Sequence, residues 1–192
     1  VLNTAEGGMI TTDDEAIFEK SRVLREHGKA DHRFNVHTDL GYNWRFSELH
    51  ALLGLQQMRK ARAIVNERIR IAGWYDDQLK DLDGIRLVEI PPEIICPYYK
   101  YIVYLEPPHT RDTVKRRMQE EFKVSLTGEV YADPCHTQPV FDRYPDLIIR
   151  EGEYPGAEYV SSCQICLPIY PGLREDEADY VVESLKQVLR TA

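Results

Sequence analysis

From Ala61 to Leu82 one set of positions recurs at alternating steps of four and three: Ala61, Val65, Arg68, Ala72, Tyr75, Leu79 and Leu82, with Arg62, Asn66, Glu67, Arg70, Asp76 and Asp77 between them. This is the spacing of one helix face, and no proline interrupts it, so the pattern predicts a helix over 45–82. The stretch Gly41-Tyr42-Asn43-Trp44-Arg45-Phe46-Ser47-Glu48 launches it. Gly41 and Asn43 suit turn geometry, while Ser47 and Glu48 supply a cap and a first-turn acid. Such a helix spans about 50 Å, more than the width of a small domain, unless Gly54 or Gly73 bends it. It is therefore expected to bridge two bodies of the protein.

The flanking segments carry shorter patterns. Glu6-Gly7-Gly8-Met9-Ile10-Thr11-Thr12 reads as a glycine turn entering a β-branched strand. Asp13 and Asp14 cap a helix with Ile17, Ser21 and Leu24 on one face, closed by His27-Gly28. Residues 29–40 lack a period and read as loop. Beyond the long helix, Asp83-Gly84 is a turn and 85–88 a short strand, and the prolines of IPPEIICP break the chain before a strand over 98–105. A helix over 110–122 follows, with Val114, Met118 and Phe122 every four residues, then a strand over 124–131. A proline-rich loop spans Asp133 to Asp146. The end of the chain reads as a helix over 154–163, the apolar strand and turn CLPIYPGL, and a helix over 175–189 with Ala178, Val181, Leu185 and Val188 on one side. Strands and helices interleaved in this way make a small α/β layer.

Composition narrows the partners. The 192 residues carry a net charge of -8 without a Lys/Arg cluster, which argues against nucleic acid or an anionic membrane. No apolar run approaches the length of a membrane span, and VLNTAEGG lacks the basic region and apolar core of a signal peptide. Cys163 and Cys166 form a C-x-x-C without a second pair at zinc spacing, so no structural metal is expected, and all four cysteines read as reduced thiols in a cytoplasmic protein.

Taken singly, the polar candidates have bland readings beside functional ones. Asn43 is a turn residue or a ligand contact. Arg45 forms a surface ion pair or binds an anion with its planar fork. Tyr131, His136 and Gln138 are ordinary loop side chains or pocket contacts. There is no P-loop, nucleophile elbow or H-E-x-x-H.

Their joint order is more specific. AEGGMITT, REHG, GYNWRFSELHALLGLQQM, YYKYIVYL, SLTGEVY followed by PCHTQPVF, and CLPIYPGL closely resemble, in register, the second half of the DegT/DnrJ/StrS family of pyridoxal-phosphate-dependent sugar aminotransferases. The resemblance covers essentially the whole chain. It implies an α/β fold of aminotransferase fold type I. Residues 1–44 would finish the large cofactor-binding domain, 45–82 would form the long bridging helix, and 83–192 a small C-terminal α/β domain. It implies amino transfer, with glutamate or glutamine as donor, to a keto group of a nucleotide-linked sugar or cyclitol, in a homodimer with composite sites.

By the same resemblance Asn43 reaches across the dimer interface to the phosphate of pyridoxal 5'-phosphate, and Arg45, Tyr131, His136 and Gln138 contact substrate. Glu6-Gly7-Gly8 would lie close behind the catalytic lysine. That lysine, which forms the Schiff base, precedes the E-G-G glutamate by six residues in the family, a position immediately before Val1. The chain then begins either just after a cofactor-modified lysine or as a fragment. Dehydratases of the same fold carry histidine at that position and are the alternative enzyme class, although Arg45 in GYNWRFSEL fits the aminotransferases better. A catalytically inactive binding module is the alternative of another class.

Overall fold

The structure, a computed structural model, describes residues 1–145 and 152–190. Of the proline-rich loop expected up to Asp146, that last residue lies outside the described residues. The chain divides into two compact units, Val1–Arg62 and Ala63–Ala192. Helix α2, Glu48–Leu79, contributes to both.

In the first unit, helix α1 spans Glu15–Arg25, and the carboxylate of Asp14 accepts the amide hydrogens of Ala16 and Ile17, at 2.8 and 3.2 Å. This satisfies two donors that a helix start otherwise leaves unpaired. His27 and Gly28 both take positive φ, 59° and 77°, which ends the helix where the His-Gly pair predicts. The loop after it is tied back, since the amides of Thr38 and Asp39 donate to the Gly28 carbonyl at 2.8 and 3.2 Å.

Here two backbones meet. A Cβ built on Gly41 would lie 1.9 Å from the Gly28 nitrogen, so only glycine fits at that contact. The strand expected over Met9–Thr12 is a correction. These residues pair with no other strand among the described residues, and Met9 and Ile10 are 87% and 69% exposed. A β-branched run supplies strand propensity, but a strand exists only where a neighbour takes up its amides.

Helix α2 runs unbroken through Gly54 and Gly73. Ser47 caps it, its hydroxyl accepting the His50 amide at 3.3 Å. Its end comes at Leu79 rather than Leu82, the Leu82 amide folding back onto the Leu79 carbonyl at 3.1 Å. Of the face read from the sequence, Ala72, Tyr75 and Leu79 are buried, and Ile71 joins them. Arg68, on the same face, donates to the Tyr98 carbonyl at 2.8 Å.

The second unit is built on a three-stranded antiparallel sheet in the order β1 (Ile85–Leu87), β2 (Tyr101–Leu105), β3 (Gln164–Leu167). Val103 in the central strand faces Leu87 on one side and Ile165 on the other. Tyr101, Val103 and Leu105 alternate inward from β2, whereas all four residues of β3 are buried. Helix α3 (Arg111–Phe122) packs on β3 and on the last helix. A single turn, α4 (Val140–Arg143), precedes α5 (Pro155–Cys163), which packs on β2. Helix α6 (Glu175–Arg190) lies on α3 and buries Ala178, Val181, Val182, Leu185, Val188 and Leu189. Each large aliphatic side chain buried this way contributes about 2 kcal/mol. Cys163 closes α5, and Cys166 sits in β3, where burial pushes its thiol pKa up.

The strand expected over 124–131 is the second correction. Val124 and Leu126 are buried in the period-two manner of a strand, yet 124–131 forms no ladder among the described residues. A side chain stands in for the missing neighbour. Gln164, fully buried, accepts the Val130 amide at 3.3 Å through Oε1 and donates through Nε2 to the carbonyls of Val130 and Tyr131, at 2.8 and 3.3 Å.

Candidate functional site

Residues 42–44 run antiparallel to the last turn of α1. Tyr42 donates to the Leu24 carbonyl at 2.7 Å, His27 to the Tyr42 carbonyl at 2.9 Å, and Trp44 to the Arg25 carbonyl at 3.1 Å, with Asn43 bridged to Glu26. Three hydrogen bonds, two on Tyr42 and one on Trp44, fix this short segment on either side of Asn43. Because side chains alternate across extended backbone, Tyr42 and Trp44 share one side, where their rings stack 4.0 Å apart and within 3° of parallel. Asn43 and Arg45 share the other.

On that side the Nε–H of Arg45 donates to Oδ1 of Asn43 at 3.1 Å, and Nη1 donates to Oε1 of Glu26 at 3.1 Å. The Asn43 amide nitrogen has no partner among the described residues, and the residue is exposed. An oxyanion accepts hydrogen bonds, and this amide nitrogen has two N–H groups to offer. At Phe46, the residue after Arg45, Gly7 makes room for an aromatic ring. A Cβ on Gly7 would stand 2.6 Å from Cε2 of Phe46. The Glu6-Gly7-Gly8 turn is thus packed against the residue that precedes the Ser47 cap.

The other sequence-predicted residues lie in the second unit. His136 sits in a 3-10 turn, Cys135–Thr137, with its Nε2 3.2 Å from Oε1 of Glu158 and its ring 4.7 Å from that of Tyr154. Gln138 turns inward, its Nε2 donating to the carbonyls of Asp133 and Pro134, both at 3.4 Å. Its amide shapes the loop. Tyr131, beyond the Gln164 clamp, is 77% exposed. Just before it, Glu129 pairs with Lys115 of α3. Burial alone would raise the Glu129 carboxyl, but the lysine's hydrogen bond and charge outweigh it and hold the pKa below the usual range.

Within the first unit, then, Asn43 and Arg45 are brought together. Within the second, His136 and Gln138 share one turn. Three residues that build these places were not singled out from sequence: Glu26, Gln164 and Glu158. Glu26 lies inside the REHG motif, which was its one signal. Gln164 stands between the two cysteines, where a polar residue entering an apolar strand is anomalous and asks for a partner.

An extended amide-bearing turn feeding a long helix, followed by a small helix-covered antiparallel sheet, is the architecture of fold-type-I pyridoxal-phosphate aminotransferases. Solved structures share it. The aminotransferase TlmJ from Streptoalloteichus hindustanus superposes with a TM-score of 0.76 at 25% identity, over 93% of this chain and 46% of that one. NtdA from Bacillus subtilis, solved with bound cofactor PMP, gives 0.76 at 23% identity, over 93% and 41%.

Residues 1–186 match the model of the DegT/DnrJ/EryC1/StrS aminotransferase family, and the chain belongs to that family. Among its curated relatives is the UDP-N-acetyl-3-dehydro-alpha-D-glucosamine 3-aminotransferase of Acidithiobacillus ferrooxidans, 30% identical over 96% of this chain and 46% of that protein. The chain spans about half the length of the curated relatives it matches. The cofactor of the family is pyridoxal 5'-phosphate. Among the described residues, no helix is long and apolar enough to cross a membrane.

Proposed function

We propose that this chain forms part of a cytoplasmic, homodimeric enzyme that moves an amino group from glutamate or glutamine to a keto group of a nucleotide-linked sugar or a cyclitol. In this reading residues 1–44 finish the cofactor domain, 45–82 connect, and 83–192 form the small domain. The observation that carries it is the family match across 1–186, joined to an Asn43 amide whose donors are pinned outward. The named activity of the relative from A. ferrooxidans, a sugar 3-aminotransferase, supports the substrate class.

The residues present fit a phosphorylated cofactor, because the exposed Nδ2 of Asn43 supplies the kind of donor that a phosphate oxygen accepts. When bound, pyridoxal phosphate supplies an electron sink for the carbon that loses a proton during amino transfer. Asn43 holds the phosphate of the cofactor in the partner protomer. Tyr131 and His136, on the clamped loop, contact the sugar or the donor carboxylate, and Gln138 orders that loop from within.

Incubating the full-length protein with candidate keto-sugars and glutamate, followed by mass spectrometry, tests the proposal. The expected result is the mass change of keto to amine. Loss of the keto-sugar's elements of water without nitrogen incorporation would instead identify a dehydratase. Absence of an absorbance band at roughly 410–430 nm in the purified full-length protein supplied with pyridoxal phosphate would point to a module without cofactor.

A further inference from the structure

We infer that Glu26 and Arg45 are a positioning pair that sets the orientation of the Asn43 amide. Asn43 carries both an acceptor and donors at its tip, and rotation by half a turn exchanges them. Arg45 removes that ambiguity. A guanidinium has only donors, so only Oδ1 can face it, which turns Nδ2 away. Glu26 in turn holds the guanidinium through Nη1, and it is the more sheltered partner, its side chain 21% exposed against 54% for Arg45. The backbone bridge between Glu26 and Asn43 fixes the third side of the triangle.

This assignment differs from the substrate contact that the family resemblance implies for Arg45. A carboxylate or phosphate bound by a guanidinium fork needs two neighbouring nitrogens. Arg45 already gives its Nε–H to Asn43 and one Nη1–H to Glu26, so a bound anion would have to share the guanidinium with these two partners. The arginine's role is then exerted through Asn43. The inference rests on the reading of Asn43 as a phosphate contact.

The experiment compares full-length Asn43→Ala, Arg45→Met, the double variant and Glu26→Gln. Pyridoxal phosphate is titrated into each apoprotein, and KM is measured for donor and sugar at saturating cofactor. Arg45→Met is expected to raise the cofactor Kd about fivefold and Glu26→Gln about twofold, the scale of one net hydrogen bond. Both KM values should stay within about twofold, and the double variant should bind no more weakly than Asn43→Ala alone.

A raised donor or sugar KM with unchanged cofactor Kd in Arg45→Met, or additive losses in the double variant, would overturn the positioning role while leaving the Asn43 contact standing. An unchanged cofactor Kd in Asn43→Ala would overturn the contact itself, and the pair's role with it. Should Arg45→Met not fold, Glu26→Gln, which keeps the shape of the pair, decides: an unchanged cofactor Kd there overturns the inference.

Discussion

Gln164 and Val130 satisfy each other's polar atoms in the small unit, through a side-chain amide that exchanges two hydrogen bonds, of 3.3 and 2.8 Å, with the N–H and C=O of one residue. The pairing has the pattern of a β-ladder rung, with a glutamine in place of a strand. It sets the path of the chain into Tyr131 and the turn that carries His136.

Replacing Gln164 by Leu removes the side-chain amide that pairs with the partly buried N–H and C=O of Val130. A loss of about 1–2 kcal/mol is expected, the cost of removing hydrogen bonds from partly buried backbone groups. Urea denaturation of the full-length protein measures it, and limited proteolysis should show earlier cleavage within 131–138. Unchanged proteolysis would mean the clamp does not order the loop.

Gly41→Ala places a methyl group 1.9 Å from the Gly28 nitrogen, so the two backbones must separate. The expected destabilisation is about 3 kcal/mol, in the range of severe overpacking. Because the displaced segment carries Asn43, cofactor affinity should fall together with the melting temperature. Gly73→Ala, where an added Cβ meets nothing within 4 Å, serves as the control and should be neutral or slightly stabilising.

Asn43→Asp retains an acceptor for Arg45 but removes both donors and adds a negative charge. Cofactor affinity is expected to drop further than in Asn43→Ala, by about tenfold or more relative to the parent protein, because an anion then faces a phosphate. Fluorescence titration of the apoprotein at two salt concentrations checks this. The Asp variant should recover part of its deficit at higher salt, and the Ala variant should not.

The Lys115–Glu129 pair gives the small unit a pH dependence. The folded-state pKa of Glu129 is held below its ordinary value, so the unfolded chain binds the proton more readily. The stabilisation is fully present above the unfolded value, about 4.3, and is lost as pH falls through the lower folded value. Melting temperatures between pH 7 and about pH 3 should decline less steeply in Glu129→Gln than in the parent protein. Parallel declines would show that this pair does not contribute.

Most of the helices were legible in the sequence. Asp14 and Ser47 announce their caps through side-chain chemistry that acts within one turn. The periodicity of α2 and α6 marks their buried faces. Strands were less so, since 9–12 and 124–131 carry strand composition but no strand partner among the described residues. The site followed the same division. Sequence order pointed to Asn43, Arg45, Tyr131, His136 and Gln138, but gave no hint that Gln138 turns inward or that Arg45 spends its fork on Glu26 and Asn43.

Family membership, the helix starts and the helix stop at His27-Gly28 were thus set by local chemistry and order along the chain. Only the tertiary structure decided which residues hold the candidate side chains in place. Glu26 and Arg45 are 19 residues apart, and Gln164 and Val130 are 34 apart. Such pairings depend on where remote backbone comes to lie, and short-range pattern carries no record of that.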